Sequence, residues 1–387
     1  MAPENGRVAR YKFSYFECIS CMNCHKRILF ITDALGYGGA EKQLAFVAEG
    51  LLQRGHEIAI VNLNLRGEYE GQRPIDSNIK VYVANIPFRN SFKSTIDYLS
   101  FSLKVAKTFR PSIIVGFKQL GFYAVAVGKL LGVPSIISER ADPYTSYKNA
   151  SRQLRFKLWC INQASGAVFQ TEQASLFYSK DLQKRGVVIP NPVFIQGKIP
   201  SIDYSNRPST VVSLGRLDNK QKRLDVMLDA FAVFHKTHSD YTLKIYGNGE
   251  DEANVRQWIV DKGLTDCAFL MGVSDNSIRD LSSEGIFLIT SDFEGISNSL
   301  LEAMACGLPV VSTDHTPGGA RMLIADGENG LLTPMRDPQA ISNALCRFAE
   351  DPDFAEKCGR KAQDVLTRFA PERILDLWET YLVNNSR

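Results

Sequence analysis

The chain lacks any apolar run of about 18 residues, so no membrane-spanning helix is expected. Its first residues carry charges but no apolar core of the kind a secretory leader needs. The expectation is a cytosolic protein. Cysteine is sparse, eight in 387 residues, and scattered. Cys160, Cys267, Cys306, Cys346 and Cys358 fall in or beside expected helices and strands and read as buried thiols. Cys18, Cys21 and Cys24, followed by His25, have a spacing that suits zinc or an iron–sulfur cluster. The second ligand pair that most zinc sites need is missing. Histidine is scarcer still; of His25, His56, His235, His238 and His315, only His315 lies where a site is expected. No low-complexity segment or short-period repeat is present.

What is there is enough chain for two domains of ordinary size. Short apolar runs rich in Val and Ile alternate with helical stretches. The first set predicts strands over Arg27–Thr32, Glu57–Leu63, Lys80–Ala84, Ser112–Phe117, Ser135–Ser138, Ala167–Gln170 and Val187–Ile189. The second predicts Thr210–Leu214, Thr242–Tyr246, Ala268–Met271, Ile286–Thr290, Val310–Ser312 and Gly330–Leu332. Such runs imply parallel sheets covered on both faces, hence an α/β protein with two Rossmann-like, doubly wound domains. The first domain is placed at 26–190, a Pro, Ser and Gly-rich linker at 191–208, the second domain at 209–369 and an amphipathic final helix at 370–387. Residues 1–25 read as a tail, and Met22 stands where a natural start to the first strand would be.

The net charge of +3 hides an asymmetry. Residues 1–190 hold 25 Lys and Arg against 14 Asp and Glu, or +11, which leaves −8 for the rest. A basic half facing an acidic half points to a polyanionic or membrane partner for the first domain.

Two acids, Glu294 and Glu302, stand eight positions apart in Ser291-Asp-Phe-Glu-Gly-Ile-Ser-Asn-Ser-Leu-Leu-Glu302. The run before them reads as a buried strand. A helix then starts near Ser297 or Asn298, both good caps, and stops at Gly307 and Pro309. Glu294 is thus expected in the loop at the carboxyl end of a strand, and Glu302 one turn into the next helix. Helix N-termini bind phosphates, and open α/β sheets bind ligands at the carboxyl ends of their strands. A ligand that carries phosphate and needs carboxylate acceptors for its hydroxyls fits there: a nucleotide sugar.

Upstream, a strand ends at Gly215, followed by Arg216 and, six residues on, by Lys222 at the start of the next helix. The Arg fork and the compact Lys charge suit a diphosphate and the charge that builds on it as a sugar leaves. Gly36-Tyr-Gly-Gly-Ala-Glu41 is a glycine-rich turn, but not Gly-x-Gly-x-x-Gly, and the second strand ends in Leu63-Asn64 without the acid a dinucleotide site needs.

Taken together, these segments resemble the retaining glycosyltransferases of family 4, which have the GT-B fold. The resemblance runs from about Lys26 to the C-terminus. It rests on the order and spacing of Gly38-Gly-Ala-Glu41, Gly215-Arg216 with Lys222, Tyr246-Gly-Asn-Gly-Glu250, Glu294 to Pro309 and Asp326-Gly-Glu-Asn-Gly330. Pro317-Gly-Gly-Ala-Arg-Met322 and the wording around Glu294 look like bacterial enzymes of surface-polysaccharide synthesis. The resemblance implies two domains facing across a cleft, with the last helix crossing back to the first. It implies catalytic roles for Arg216, Lys222 and Glu294. It implies donor contacts from Gly38, Gly39, Gly215, Gly247, Gly249, Val273, Gly295, Ile296, Ser297, Asn298, Ser299 and Glu302, with Glu302 on the ribose and Glu294 on the sugar. The expected reaction is retaining transfer from a nucleoside diphosphate sugar, with a UDP-sugar expected, to a glycan or lipid-diphosphate-linked acceptor.

Two positions depart from the family pattern. Many relatives have a histidine near the reacting sugar where this chain has Arg140, in Ser138-Glu-Arg-Ala-Asp-Pro143, and often an acid where it has Met322. Arg is no base at neutral pH, so Arg140 and Glu139 are expected as sugar or acceptor contacts. No Asp-x-Asp motif is present; Asp292-Phe-Glu294 approximates one, and Arg216 and Lys222 can do a divalent ion's electrostatic work. No metal or other cofactor is expected, and no nucleic-acid partner. A GT-B-fold epimerase and a non-catalytic nucleotide-sugar-binding subunit are the rival readings.

Tyr144–Trp159 carries Lys148, Arg152, Arg155 and Lys157 among aromatic residues and no acid. Phe92–Arg110 is similar, with Lys93, Lys104, Lys107 and Arg110. Basic amphipathic segments with aromatics bind anionic membrane surfaces. The expectation is peripheral attachment to the inner face of the plasma membrane through the first domain.

Overall fold

A strand buried on both faces cannot alternate apolar and polar residues, and the central strands of this protein do not. In β1 (Arg27–Thr32), Leu29 and Ile31 pack with Tyr98 and Phe109, while Ile28 and Phe30 pack on the other face with Val47 and Trp378. The computed structural model describes residues 25–387 except 37, 64–73, 85, 87–91, 118–119, 196, 198 and 200–202. Cys18, Cys21, Cys24 and Met22 lie outside the described residues.

The remaining strands of the first half are β2 (Glu57–Asn62), β3 (Lys80–Val83), β4 (Ile113–Phe117), β5 (Ser135–Ser138), β6 (Gly166–Phe169) and β7 (Gly186–Val188). They form one parallel sheet in the order β3-β2-β1-β4-β5-β6-β7. The second half supplies β8 (Thr210–Leu214), β9 (Thr242–Tyr246), β10 (Ala268–Gly272), β11 (Ile286–Ile289), β12 (Val310–Thr313) and β13 (Leu331–Thr333). These are parallel too, in the order β10-β9-β8-β11-β12-β13. Each sheet therefore has a point where the strand order reverses, between β1 and β4 and between β8 and β11, and ligands gather at such points.

The final helix, Pro371–Asn384, packs on the first sheet and not the second. Trp378 is fully buried and stacks on Phe117, with ring centroids 6.1 Å apart and planes at 6°. Arg54 pairs with Glu379 at 2.6 Å and Asp376 at 2.7 Å, and the Ala167 amide donates to the Tyr381 hydroxyl at 2.9 Å.

Cys267, Cys306 and Cys358 are buried free thiols, whereas Cys160 and Cys346 are only half-buried on helix flanks. The Phe92–Phe109 helix is an ordinary one, because Tyr98, Val105, Ala106 and Phe109 spend its apolar face on the core. The segment Tyr144–Trp159 is broken into two helices, Pro143–Ser146 capped by Asp142 and Arg152–Ile161 capped by Ser151. No described helix is long and apolar enough to cross a membrane.

Candidate functional site

The strand ends of the second sheet meet backbone to backbone. Gly247 follows β9 with φ +138°, and a Cβ there would lie 1.8 Å from the Gly215 carbonyl oxygen, so no other residue fits. The Asn298–Ala305 helix starts where Ser297 accepts a hydrogen bond from the Leu300 amide. Between these elements lies a cleft of about 470 Å³. Gly215, Arg216, Gly247, Val273, Asn298, Ser299 and Glu302 line it on the second domain; Gly39 and Lys42 line it on the first, and Phe194 of the linker adds to the lining. Small-molecule sites occupy roughly 300–1,000 Å³.

Glu302 is 7% exposed and faces Lys42 across the cleft, 3.6 Å from its ammonium. Burial pushes its carboxyl above the ordinary range, although Lys42 and Ser277 pull the other way. Glu294, past the end of β11, is ion-paired with Lys222 and accepts from Ser291 Oγ at 2.8 Å. Burial would raise its pKa, but Lys222, His315 and Ser291 outweigh that and hold it below the ordinary value. His315 is buried beside it, and burial lowers its pKa while Glu294 pulls the other way. Arg216 is largely exposed, its guanidinium donating only to Gln221 Oε1 at 2.9 Å and lying 4.0 Å from Asp218.

Lys222 sits in the last turn of a separate four-residue helix, Asn219–Lys222, rather than at the start of the helix Leu224–His235. Arg223, left-handed at φ 51°, divides the two. Asp292 is no free acid: Arg336 donates to it at 2.6 Å and Arg223 at 3.3 Å. The pair Asp292 and Glu294 is therefore neutralised by protein cations.

The first domain and the linker hold the segments around Glu294. Thr316 Oγ1 donates to Asp142 Oδ2 at 2.8 Å, Thr171 Oγ1 to the Pro317 carbonyl at 2.6 Å, and Asn191 Nδ2 to Asn298 Oδ1 at 3.0 Å. Gln170 lies so close to Gly295 that a Cβ there would meet its Oε1 at 1.9 Å.

Two family signatures match the chain in tandem: "Glycosyltransferase Family 4" over residues 37–196 and "Glycosyl transferases group 1" over residues 198–365. The chain belongs to glycosyltransferase family 4. It is 25% identical over 366 residues to an uncharacterised glycosyltransferase of Haemophilus influenzae, covering 91% of this chain and 98% of that one. It is also 25% identical over 347 residues to the Campylobacter jejuni N-acetylgalactosamine-N,N'-diacetylbacillosaminyl-diphospho-undecaprenol 4-alpha-N-acetylgalactosaminyltransferase, covering 85% and 92%. The fold matches that of Anabaena HepE in complex with UDP at a TM-score of 0.75, with 19% identity over 92% of this chain and all of that one. The two facing sheets and the returning helix are the GT-B fold.

Among the residues predicted for this glycosyltransferase's site, Arg216, Gly39, Gly215, Gly247, Val273, Asn298, Ser299 and Glu302 line the one cleft. Lys222, packed beside Gly215, pairs with Glu294, and neither of the two lines the cleft itself. Gly38 caps the Gly39–Gln53 helix, and Gly249 packs on the Leu217 backbone. Ile296 and Ser297 are buried in the second domain beneath the cleft.

Glu139 and Arg140 are placed differently from expectation. Glu139 is buried and accepts from the amides of Arg140 and Ala141, each at 2.9 Å, and from the Tyr178 hydroxyl. Arg140 donates to Ser138 Oγ at 2.8 Å, and its guanidinium lies 5.1 Å from the Trp378 ring. Burial pushes its pKa down to about 9. Both side chains serve the first domain and its returning helix, not the cleft. Sequence reasoning missed Lys42, although its place three residues after Gly39 sets it in the first turn of a helix that opens on the site.

Proposed function

We propose that this protein transfers a sugar from a nucleoside diphosphate sugar, a UDP-sugar, to a glycan or lipid-diphosphate-linked acceptor in polysaccharide synthesis, with retention of configuration. The observation that carries this is a cleft lined by a buried acid, Glu302, and a cation, Arg216, with the Lys222 side chain of the Lys222–Glu294 pair packed against Gly215 of its wall. A ribose needs hydroxyl acceptors, a diphosphate needs cations, and the sugar beyond it needs a carboxylate. Glu302 takes the ribose, Arg216 and Lys222 the diphosphate, and Glu294 the sugar.

The C1–phosphate bond breaks as the acceptor oxygen bonds C1 from the same face, and the acceptor proton passes to the departing phosphate oxygen. Two preorganised cations aimed at the leaving group stabilise the charge that grows there. Asp292 is engaged by Arg223 and Arg336, so a metal-independent reaction fits the side chains present. The Campylobacter relative is named for a diphospho-undecaprenol substrate, and HepE was crystallised with UDP; both support the choice of substrates. In this reading the enzyme works at the inner face of the plasma membrane.

A thermal-shift screen against UDP-, GDP- and ADP-sugars, followed by turnover with and without excess EDTA, tests the assignment. A ligand at 100 times its Kd adds about 2.7 kcal/mol. UDP-sugars should shift the transition most and turnover should survive EDTA. No shift with any nucleotide sugar refutes the reading, and EDTA-sensitive turnover restored by Mg²⁺ refutes its metal-independent part.

A further inference from the structure

Lys42 is in an unusual position for a cation. It belongs to the first domain, yet its partner, Glu302, belongs to the second, and both line the cleft. Its ammonium is 3.6 Å from Glu302 Oε1 and 4.5 Å from the centre of the Phe194 ring. Its side chain is about a quarter exposed, while that of Glu302 is 9% exposed. A buried carboxylate that loses its cation is costly, so the pair ties the two domains together at this point. Asn298 Nδ2 approaches Gly39 closely enough to meet a Cβ there at 3.3 Å, so the domains already touch beside the pair.

The pair also sets a competition. On the reading above, ribose hydroxyls must reach Glu302, and its oxygen is occupied by Lys42. Lys42 has a flexible four-carbon stem and three rotatable donors. Gly39, one turn away on the same helix, and Arg216 opposite line the same cleft, so a donor's diphosphate would lie within that stem's reach.

We propose that Lys42 is a donor-responsive cation that pairs with Glu302 until a donor binds, yields it to the ribose, and passes to the diphosphate of the same ligand. This rests on the nucleotide-sugar reading and adds to it. Binding then exchanges one charge-assisted contact for another, and the first domain stays tied to the second through the donor itself. A ligand with ribose but no phosphate displaces Lys42 and offers it nothing in return. Lys42 is in this way a specificity residue that disfavours nucleosides and favours nucleoside diphosphates.

The experiment compares calorimetric affinities for uridine and UDP, with guanosine and GDP and adenosine and ADP run in parallel, in wild type, Lys42→Gln and Lys42→Arg. In Lys42→Gln, uridine should bind more tightly and UDP about tenfold more weakly, as loss of one charge-assisted contact does. Lys42→Arg should restore the wild-type preference for the diphosphate. Should Lys42→Gln not fold because Glu302 is left unpaired, the same substitution in a Glu302→Gln background strands no charge. There UDP should again weaken relative to Glu302→Gln alone. Equal changes for uridine and UDP in either background, or no change, overturn the role of Lys42 while leaving the nucleotide site intact. A wild type that binds no nucleoside diphosphate at all refutes the nucleotide reading itself and this inference with it.

Discussion

Thr316, in the loop after β12, donates its hydroxyl hydrogen to Asp142 of the opposite domain at 2.8 Å. The Glu294 amide in turn donates to the Thr316 carbonyl at 2.7 Å. Glu294 is therefore positioned in part by the first domain. Asp142 also caps a short helix and accepts from Thr145, so it does more than bridge.

Removing the bridge alone tests the coupling. Thr316→Val keeps the shape and deletes the donor, leaving Asp142 with its cap. It should cost about 1 kcal/mol of stability and lower kcat several-fold more than it raises the donor KM. A kcat equal to wild type, with the stability loss present, would show that the bridge is structural only.

Arg216 and Lys222 should differ in a way their shared charge hides. Arg216→Ala removes an exposed cation, so kcat should fall about 10²-fold with the melting temperature unchanged. Lys222→Ala strands the buried Glu294, so a similar kcat loss should come with about 2–3 kcal/mol of destabilisation. Denaturant titration beside the kinetics separates the two; equal stabilities would contradict the burial of the pair.

The fold was legible because its signal is local. Thirteen apolar runs correspond to thirteen strands, most clearly in the central ones, which are buried on both faces and so apolar along their length. The cleft was legible for the same reason: Gly215, Arg216, Gly247 and Glu302 lie at strand and helix ends that the pattern marks. Contacts between distant segments were not legible. Arg140 stands at the end of β5 like a ligand residue, but Trp378, 238 positions away, covers it. Lys42 has no meaning until Glu302 is seen opposite it.

Arg140 thus yields a prediction of its own. Trp378→Ala should cost about 3–5 kcal/mol through the cavity left beside Phe117. Arg140→Met keeps the packing volume without the charge, and should change stability far less while leaving the donor KM untouched. A raised KM in Arg140→Met, measured at saturating acceptor, would return Arg140 to the site.

The two acids should titrate in a fixed order. Glu302 is raised above the ordinary 4.5, so the fold favours its protonated form, and ionising it opposes stability as pH rises through that value. Glu294 is lowered, so its ionised form contributes stability above the ordinary 4.5 that is lost as pH falls through its depressed value. On acidification from pH 7, donor affinity should therefore weaken first, above 4.5, and the Glu294-dependent fall in kcat should come later. Lys222→Ala removes the main force that lowers Glu294, so its kcat should begin to fall at higher pH. Affinity that stays flat to pH 4.5 would break the assignment of Glu302 to the ribose.

The proposed membrane-facing surface narrows to one helix. On Arg152–Ile161, Phe156 is 57% exposed and Trp159 61% exposed, and the two rings stack at 5.9 Å. Aromatic surface of this size is seldom left in water without a purpose. Arg152 and Arg155 are exposed on the same helix and Lys148 just before it, whereas Lys157 turns inward over the rings of Phe122 and Tyr123. Three cations give about 1 kcal/mol each near an anionic surface, and two aromatic rings add interfacial anchoring. The protein should float with phosphatidylglycerol vesicles at low salt, less so at high salt, and not with phosphatidylcholine alone. Phe156→Ser with Trp159→Ser should abolish flotation and leave turnover of a soluble acceptor analogue unchanged, since neither residue lines the cleft. Arg152→Glu with Arg155→Glu should do the same at low salt, while Lys157→Gln should have no effect on binding. Flotation that survives both double variants would assign the aromatic pair to a protein partner or to none, and the basic charge of the first domain would need another explanation.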